Sequence, residues 1–230
     1  MSDCIVESAD PVTLIGGGEA TPQDLQKALT LAPVCVAADG GAAFALDIGV
    51  MPEAVIGDFD SLEAETRTAI PTARLHHIEE QESTDFEKAL TRIKAPVVLG
   101  VGFLGARVDH QLAALHTLVA SPQHPCLLMG AHEVICLAPP QISLPVQPGD
   151  AVSLFPMGPV TGRSTGLAWP IEGLAFDPHS KIGTSNRAVG PVTLDMDRPA
   201  MLLILPRRLT RALLAQFVQP DAARWPARAG

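Results

Sequence analysis

From Val12 onward, short apolar runs alternate with amphipathic segments. Val12-Thr13-Leu14-Ile15 leads into the turn Gly16-Gly17-Gly18 and then Thr21-Pro22, an N-cap with proline at the first helical position that opens a helix through Leu31. Next come a strand from Val34 to Ala37, a helix from about Gly41 to Asp47, a strand from Ala54 to Ile56 and a short helix after Ser61. A weaker strand near Leu75 to Ile78 precedes a helix from around Thr84 through Ile93. A strand from Pro96 to Gly100, a helix from Val108 to Val119 and a strand from Cys126 to Met129 complete the series. Strands separated by helices predict an α/β fold with a doubly wound, mostly parallel sheet.

Beyond Ala138-Pro139-Pro140, prolines and glycines punctuate short alternating runs such as Ala151 to Phe155, Val192 to Met196 and Met201 to Leu205. This change predicts a small antiparallel β-sandwich domain, dividing the chain into residues 1–139 and 140–230. From Arg207 the tail reads as an Arg-rich amphipathic closing helix, then an Ala/Pro-rich end that frays.

A content of 47% hydrophobic and 18% charged residues over 230 positions provides a sizeable core and excludes general disorder. No run approaches the roughly 20 apolar residues of a membrane span, and the first eleven residues carry neither a basic nor a long apolar stretch. Four cysteines without a CxxC pair suit a reducing compartment, so the expected setting is the cytoplasm, away from membranes. The net charge of -9 argues against a nucleic-acid surface. Residues 1 to 110 hold 18 acids and 7 bases, whereas the remainder holds 7 acids and 9 bases. The acid is therefore concentrated in the α/β half, where it could collect a cation.

In an open parallel sheet, ligands bind beyond the carboxyl ends of the strands. The loops that follow the apolar runs carry Asp39-Gly40-Gly41, Gly57-Asp58-Phe59-Asp60-Ser61, Glu80-Gln81-Glu82-Ser83-Thr84-Asp85 and the segment from Gly100 to His110. Asp58 and Asp60, at i and i+2, can converge on a hard cation such as Mg²⁺; the alternative is a helix-capping Asp58 and a solvated Asp60. Asp85, beside Thr84 at a helix start, either caps or joins that cation site. Gln81 suits a hydrogen bond, and Asp39 followed by the Gly40-Gly41 amides suits phosphate. Arg107 offers a planar fork for phosphate, with Asp109 compensating it or joining the metal shell. His110 is a substrate contact or a structural histidine, and Trp169 a core residue or a stacking surface. The glycine turns lack both the GK[ST] ending and the dinucleotide spacing, so phosphate has to be held in another way.

Taken together, these residues resemble the thiamine pyrophosphokinase family. The resemblance is carried by Asp39-Gly40-Gly41-Ala42, Ile56-Gly57-Asp58-Phe59-Asp60-Ser61, Gln81 with Ser83-Thr84-Asp85-Phe86-Glu87-Lys88-Ala89-Leu90, and Arg107-Val108-Asp109-His110. Ser164-Thr165-Gly166-Leu167-Ala168-Trp169 and Thr184-Ser185-Asn186 extend it into the second domain. It implies an α/β catalytic domain binding ATP and Mg²⁺, a thiamine-binding β-sandwich, and transfer of the pyrophosphoryl group of ATP to the thiamine hydroxyl with release of AMP. Asp58, Asp60 and Asp85 would hold Mg²⁺, and Arg107 and Asp109 would act with them in catalysis. Asp39, Gly40, Gly41, Gln81, Lys88 and His110 would bind nucleotide; Trp169, Ser185 and Asn186 would bind thiamine. The resemblance also implies a homodimer, with thiamine between the α/β edge and a β-sandwich. The sequence departs from the family at Ala106, where a second glycine is usual, and at Glu80, a longer acid onto which no ligand role is carried.

Three other functions compete. A hydroxymethylpterin pyrophosphokinase would share the acidic first domain. A Mg²⁺-dependent phosphohydrolase is suggested by Asp58-Phe59-Asp60-Ser61, but the catalytic Lys and later GDxxxD loop of that chemistry do not follow. A non-catalytic thiamine or nucleotide binding protein has no need of so many carboxylates. If the aspartates only repel one another without a cation, each Asp→Asn variant should be at least as stable as the parent in chelator.

Overall fold

The computed structural model describes residues 4–227 and divides into two compact units. One runs to Thr117 and includes Leu128–Ala131; the other takes Leu118–Leu127 and the chain from His132 onward. The first unit is built from β1 (Val6–Glu7), β2 (Val12–Ile15), α1 (Pro22–Leu31), β3 (Val34–Ala38), α2 (Gly41–Asp47), β4 (Ala54–Gly57), α3 (Ala64–Ala69), β5 (Leu75–His77), α4 (Asp85–Leu90), β6 (Ile93–Lys94), β7 (Val98–Val101) and most of α5 (Val108–Ala120). The strand β8 (Cys126–Met129) is divided between the units.

Five strands of the first unit lie parallel in the order β7-β2-β3-β4-β5. The chain winds outward from β2 through β3, β4 and β5, then returns to the other flank of β2 as β7. That reversal makes the carboxyl ends of β2, β3 and β7 the switch point where such sheets hold ligands. Every residue of β2, β4 and β7 is buried, as expected for strands covered on both faces. The one polar side chain in β2 is satisfied, Thr13 donating its hydroxyl to the Ala32 carbonyl at 2.6 Å. The start of α1 forms as the sequence predicts, with a reciprocal capping box between Thr21 and Asp24 and Pro22 in the first turn.

The helix predicted from Thr84 to Ile93 is shorter. It stops at Leu90, where Thr91 turns its hydroxyl back onto the Glu87 carbonyl at 2.8 Å. Ile93 and Lys94 instead form β6, which pairs in parallel with β1, a strand that local pattern does not reveal.

The second unit contains β9 (Glu133–Leu137), β10 (Gln141–Leu144), β11 (Ala151–Pro156), β12 (Gly162–Leu167), β13 (Gly183–Met196), β14 (Met201–Pro206) and α6 (Thr210–Val218). These strands pair antiparallel, β9 with β14, β14 with β11, β11 with β13, and β13 with β10 and β12. The first half of β13 pairs with β11, and its second half lies between β10 and β12. One 14-residue strand thus serves two sheets, as at the corner of a sandwich. The sequence reading finds only its last five residues, because Gly183, Gly190 and Pro191 look like punctuation. The end beyond α6 does not fray as expected: the Trp225 indole donates to the Ala138 carbonyl at 2.8 Å, and Arg224 donates to that of Phe217 at 2.6 Å. Residues 228–230 lie outside the described residues. Among the described residues, no helix is long and apolar enough to cross a membrane.

Candidate active site

At the switch point the loops after β2 and β7 meet backbone to backbone. The Gly18 amide donates to the Gly102 carbonyl at 2.8 Å. Gly102 adopts φ +79°, and a Cβ there would lie 2.5 Å from the Gly16 carbonyl oxygen, so any larger residue would force the loops apart. The cleft they floor measures about 540 Å³. Asp39 and Gly40 after β3, Asp58 after β4, Asp85 and Lys88 on α4, and Arg107 and His110 at the start of α5 all line it. Gly41 follows Gly40 as the first residue of α2.

Asp39, Asp58, Asp60 and Asp85 each turn a carboxylate oxygen to within 4.8 Å of the others. Gly57 makes this approach possible, since a Cβ there would sit 2.8 Å from the Asp39 Cβ and 3.2 Å from Asp85 Oδ1. The capping alternatives fall away on geometry. Thr84 caps α4, accepting from the Glu87 amide at 3.3 Å, so the cap does not use the Asp85 carboxylate; α3 does not begin until Ala64, so Asp58 caps no helix. Gln81 donates to Asp58 at 3.1 Å, the hydrogen-bonding role its chemistry suggests. Glu80 accepts from Ser83 Oγ at 2.5 Å and from the Glu82 and Ser83 amides, which ties the turn before α4 and occupies the carboxylate locally.

Lys88 changes the electrostatics of this cluster. It is 2% exposed, with Nζ 2.7 Å from Asp58 Oδ2 and 3.3 Å from Asp85 Oδ1. Burial pushes its ammonium down, but its bonds to the two carboxylates outweigh that and hold it above the usual lysine range. The same hydrogen bond keeps Asp58 below the usual carboxylate range. Asp85 is pushed up by burial despite Lys88. Asp39 is pushed up to about 6, first by burial and then by the neighbouring Asp85 and Asp60, against the lowering effect of the Ser61 amide that it accepts at 3.0 Å.

A pH dependence follows. With Asp39 near 6 in the folded state and ordinary when unfolded, its contribution to stability is present at low pH and is lost as pH rises through about 6. In chelator, the wild-type protein should gain about 1 kcal/mol from this group between about pH 7.5 and about pH 5. Asp58 has the opposite sign and titrates below that window, so it does not mask the effect. Urea unfolding of wild type and Asp39→Asn across this window checks it; equal pH slopes would contradict the burial of an ionisable Asp39.

Arg107 lines the same cleft, with its Nε 3.1 Å and one terminal nitrogen 2.5 Å from the two oxygens of Asp109. Both side chains are about two-thirds exposed, at 68% and 63%. Asp109 thus holds the guanidinium, one of its two predicted roles, and it is not among the four grouped carboxylates. Sequence reasoning gave no site role to Ser61, which donates its amide to Asp39 and its hydroxyl to Asp60 at 2.9 Å, nor to His77, which bonds the Asp58 backbone.

In the second unit, Asn186 clamps Trp169, donating to its carbonyl at 2.7 Å and accepting from its amide at 3.2 Å. Trp169 is 60% exposed rather than in the core. Ser185 adopts φ +62° and donates its amide to Ser153 Oγ at 2.8 Å.

Four convergent carboxylates make an all-oxygen donor set of the kind hard divalent cations favour. Asp39 Oδ1 is buried and, among the described residues, has no hydrogen-bond partner, a cost that a cation would relieve. The residues therefore fit Mg²⁺.

Comparison with known proteins points to one family. Residues 25–128 match the family description "Thiamin pyrophosphokinase, catalytic domain", and residues 141–201 match "Thiamin pyrophosphokinase, vitamin B1 binding domain". The chain is 29% identical over 184 residues to Thiamine pyrophosphokinase 2 of Oryza sativa subsp. japonica, covering 70% of this chain and 67% of that protein. It is 26% identical over 152 residues to Thiamin pyrophosphokinase 1 of Caenorhabditis elegans, covering 59% of this chain and 62% of that one. In fold it is similar to the thiamin pyrophosphokinase of Candida albicans, with TM-score 0.70, 16% identity, and coverage of 90% of this chain and 93% of that one. The enzyme of Geobacillus thermodenitrificans gives TM-score 0.70 at 22% identity, covering 85% and 96%.

Proposed function

The chain belongs to the thiamin pyrophosphokinase family, and we infer that it transfers the pyrophosphoryl group of ATP to the hydroxyl of thiamine, yielding thiamine pyrophosphate and AMP. The observation that carries this reading is the four-carboxylate cluster, three members of which line one cleft together with Arg107, in a chain whose second part matches a vitamin B1 binding domain. In this reaction the thiamine oxygen bonds to the β-phosphorus, and the bond from that phosphorus to the oxygen bridging it to the α-phosphate breaks. AMP leaves with the bridging oxygen. Such transfers need alignment and charge neutralisation more than covalent help from the protein.

We assign residues 1–139 to nucleotide and cation binding and 140–230 to thiamine binding. Asp58, Asp60 and Asp85, joined by Asp39, are placed to hold Mg²⁺. When bound, Mg²⁺ would neutralise phosphate oxygens and fix their geometry. Lys88 supplies fixed positive charge from beneath Asp58 and Asp85, and Gln81 orients Asp58. Arg107, held by Asp109, presents its fork to the phosphate chain. Gly40, Gly41 and His110 complete the nucleotide side of the cleft. Trp169, exposed and clamped by Asn186, offers a stacking face for the thiamine rings, and Ser185, next to Asn186 in the chain, would join it in binding thiamine. A cytoplasmic homodimer completes the proposal; thiols rather than disulfides at all four cysteines suit that compartment.

The deciding experiment incubates the protein with Mg²⁺, ATP and either thiamine or a hydroxymethylpterin. Thiamine should be converted, with AMP appearing in equal amount. Faster turnover of the pterin would move the acceptor, and ADP or free phosphate as the main product would end the pyrophosphokinase reading.

A further inference from the structure

Phe59 stands between Asp58 and Asp60 with φ +65°, a left-handed conformation that bulky aromatic residues rarely adopt. In extended backbone, side chains at i and i+2 share a face but stand about 7 Å apart. The left-handed turn draws the two acids together: the Asp60 amide donates to Asp58 Oδ1 at 3.3 Å, and both carboxylates enter the 4.8 Å group. Glycine would make this turn without strain, so the presence of an aromatic side chain calls for contacts that hold it there.

Those contacts are specific. The Phe59 ring packs against the cluster of Ala37, Val55 and Leu62, with the Arg67 guanidinium carbon 5.6 Å from its centroid. The His77 ring lies 5.3 Å away at 32°. His77 is the last residue of β5, in register with Gly57 of β4, and its Nε2 lies 2.9 Å from the Asp58 carbonyl oxygen. A carbonyl only accepts, so His77 donates through Nε2–H. This bond fixes the plane of the Asp58-Phe59 peptide, whose rotation would swing the Asp58 carboxylate away from Asp60.

We propose that His77 is a positioning residue for the cation site: its hydrogen bond to the Asp58 carbonyl, with its ring against Phe59, locks the left-handed turn that makes Asp58 and Asp60 converge. The proposal rests on the reading of Asp58 and Asp60 as cation ligands. His77 acts through the backbone, as the outer partners of metal ligands often do.

The probe is Mn²⁺ alone, titrated into nucleotide-free protein and followed by electron paramagnetic resonance in wild type, Asp58→Asn, His77→Phe and His77→Gln. His77→Phe keeps a ring against Phe59 but has no donor, whereas His77→Gln keeps an N–H donor. His77→Phe should weaken Mn²⁺ binding about tenfold or more. It should raise the Mg²⁺ needed for half-maximal AMP formation by a similar factor, leaving the KM for thiamine unchanged. His77→Gln should stay within about threefold of wild type. Thermal unfolding verifies that each variant is folded, and His77→Ala replaces His77→Phe if the latter is not. Wild-type affinity in the donor-less variant overturns the proposal, and so does an equal loss in His77→Gln. Wild-type affinity in Asp58→Asn removes the cation site itself and the positioning role with it; loss in Asp58→Asn alone removes only the role of His77.

Discussion

Asp58→Asn and Asp60→Asn should each lower AMP formation by about 10³-fold or more, while affecting stability in different ways. Both remove a formal charge from the group of four carboxylates, so the loss of transfer is common to them. Their other partners differ. Asp60 is exposed, and its carboxylate accepts the Ser61 hydroxyl at 2.9 Å. Asp60→Asn in chelator relieves like-charge repulsion and should leave stability within about 0.5 kcal/mol of wild type or slightly higher. Asp58 is the closer counter-ion of Lys88, whose side chain is 2% exposed. Replacing it leaves a buried ammonium with Asp85 alone at 3.3 Å, a change that should cost roughly 2 kcal/mol or more. The expectation that every Asp→Asn variant is at least as stable therefore holds for Asp60 and reverses for Asp58. Urea unfolding in chelator, measured beside AMP formation at saturating Mg²⁺, separates the two effects. Near-normal turnover in both variants would eliminate the carboxylate cluster as the catalytic centre, and an unchanged Asp58→Asn midpoint would show that Lys88 does not depend on it.

The difference between these aspartates marks where sequence stops being informative. The helix from Pro22 is legible because its signals are local: a Thr cap, an acid three positions on, a proline and an apolar stripe. The four site loops are legible because a parallel sheet delivers the end of each buried strand to one edge, whatever lies between. Lys88 is different. Its spacing from Asp85 resembles an ordinary surface pair on a helix, and nothing in the sequence says that it is buried or that Asp58, thirty residues away, is its nearer partner. His77 is likewise visible only through β5 lying beside β4, which puts its ring next to the Asp58 carbonyl. The full length of β13 is hidden for a related reason: the glycines and Pro191 read as breaks, yet they lie within a strand that passes from one sheet to another. What local pattern misses here is fixed by partners distant in the chain.

Arg107 offers the clearest test of how much of the rate comes from one positioned charge. The loop before it is Gly105, at φ +103°, then Ala106, and the guanidinium is carried at the start of α5 with Asp109 bonded to two of its nitrogens. Arg107→Ala should reduce kcat by about 10³-fold or more, the scale on which arginines act on transferring phosphoryl groups. Arg107→Lys keeps the charge but loses the fork, so it should recover little of that loss. Asp109→Asn leaves the arginine in place with a weaker hold, and about a tenfold fall is expected. If Asp109 acts through Arg107, the double variant Arg107→Ala/Asp109→Asn should be no slower than Arg107→Ala alone. Both side chains are mostly exposed, so thermal unfolding should shift little in any of the four. Turnover in Arg107→Lys within a few-fold of wild type would mean that a point charge suffices and that the bidentate geometry is incidental. Additive losses in the double variant would give Asp109 a role of its own, independent of the arginine it holds.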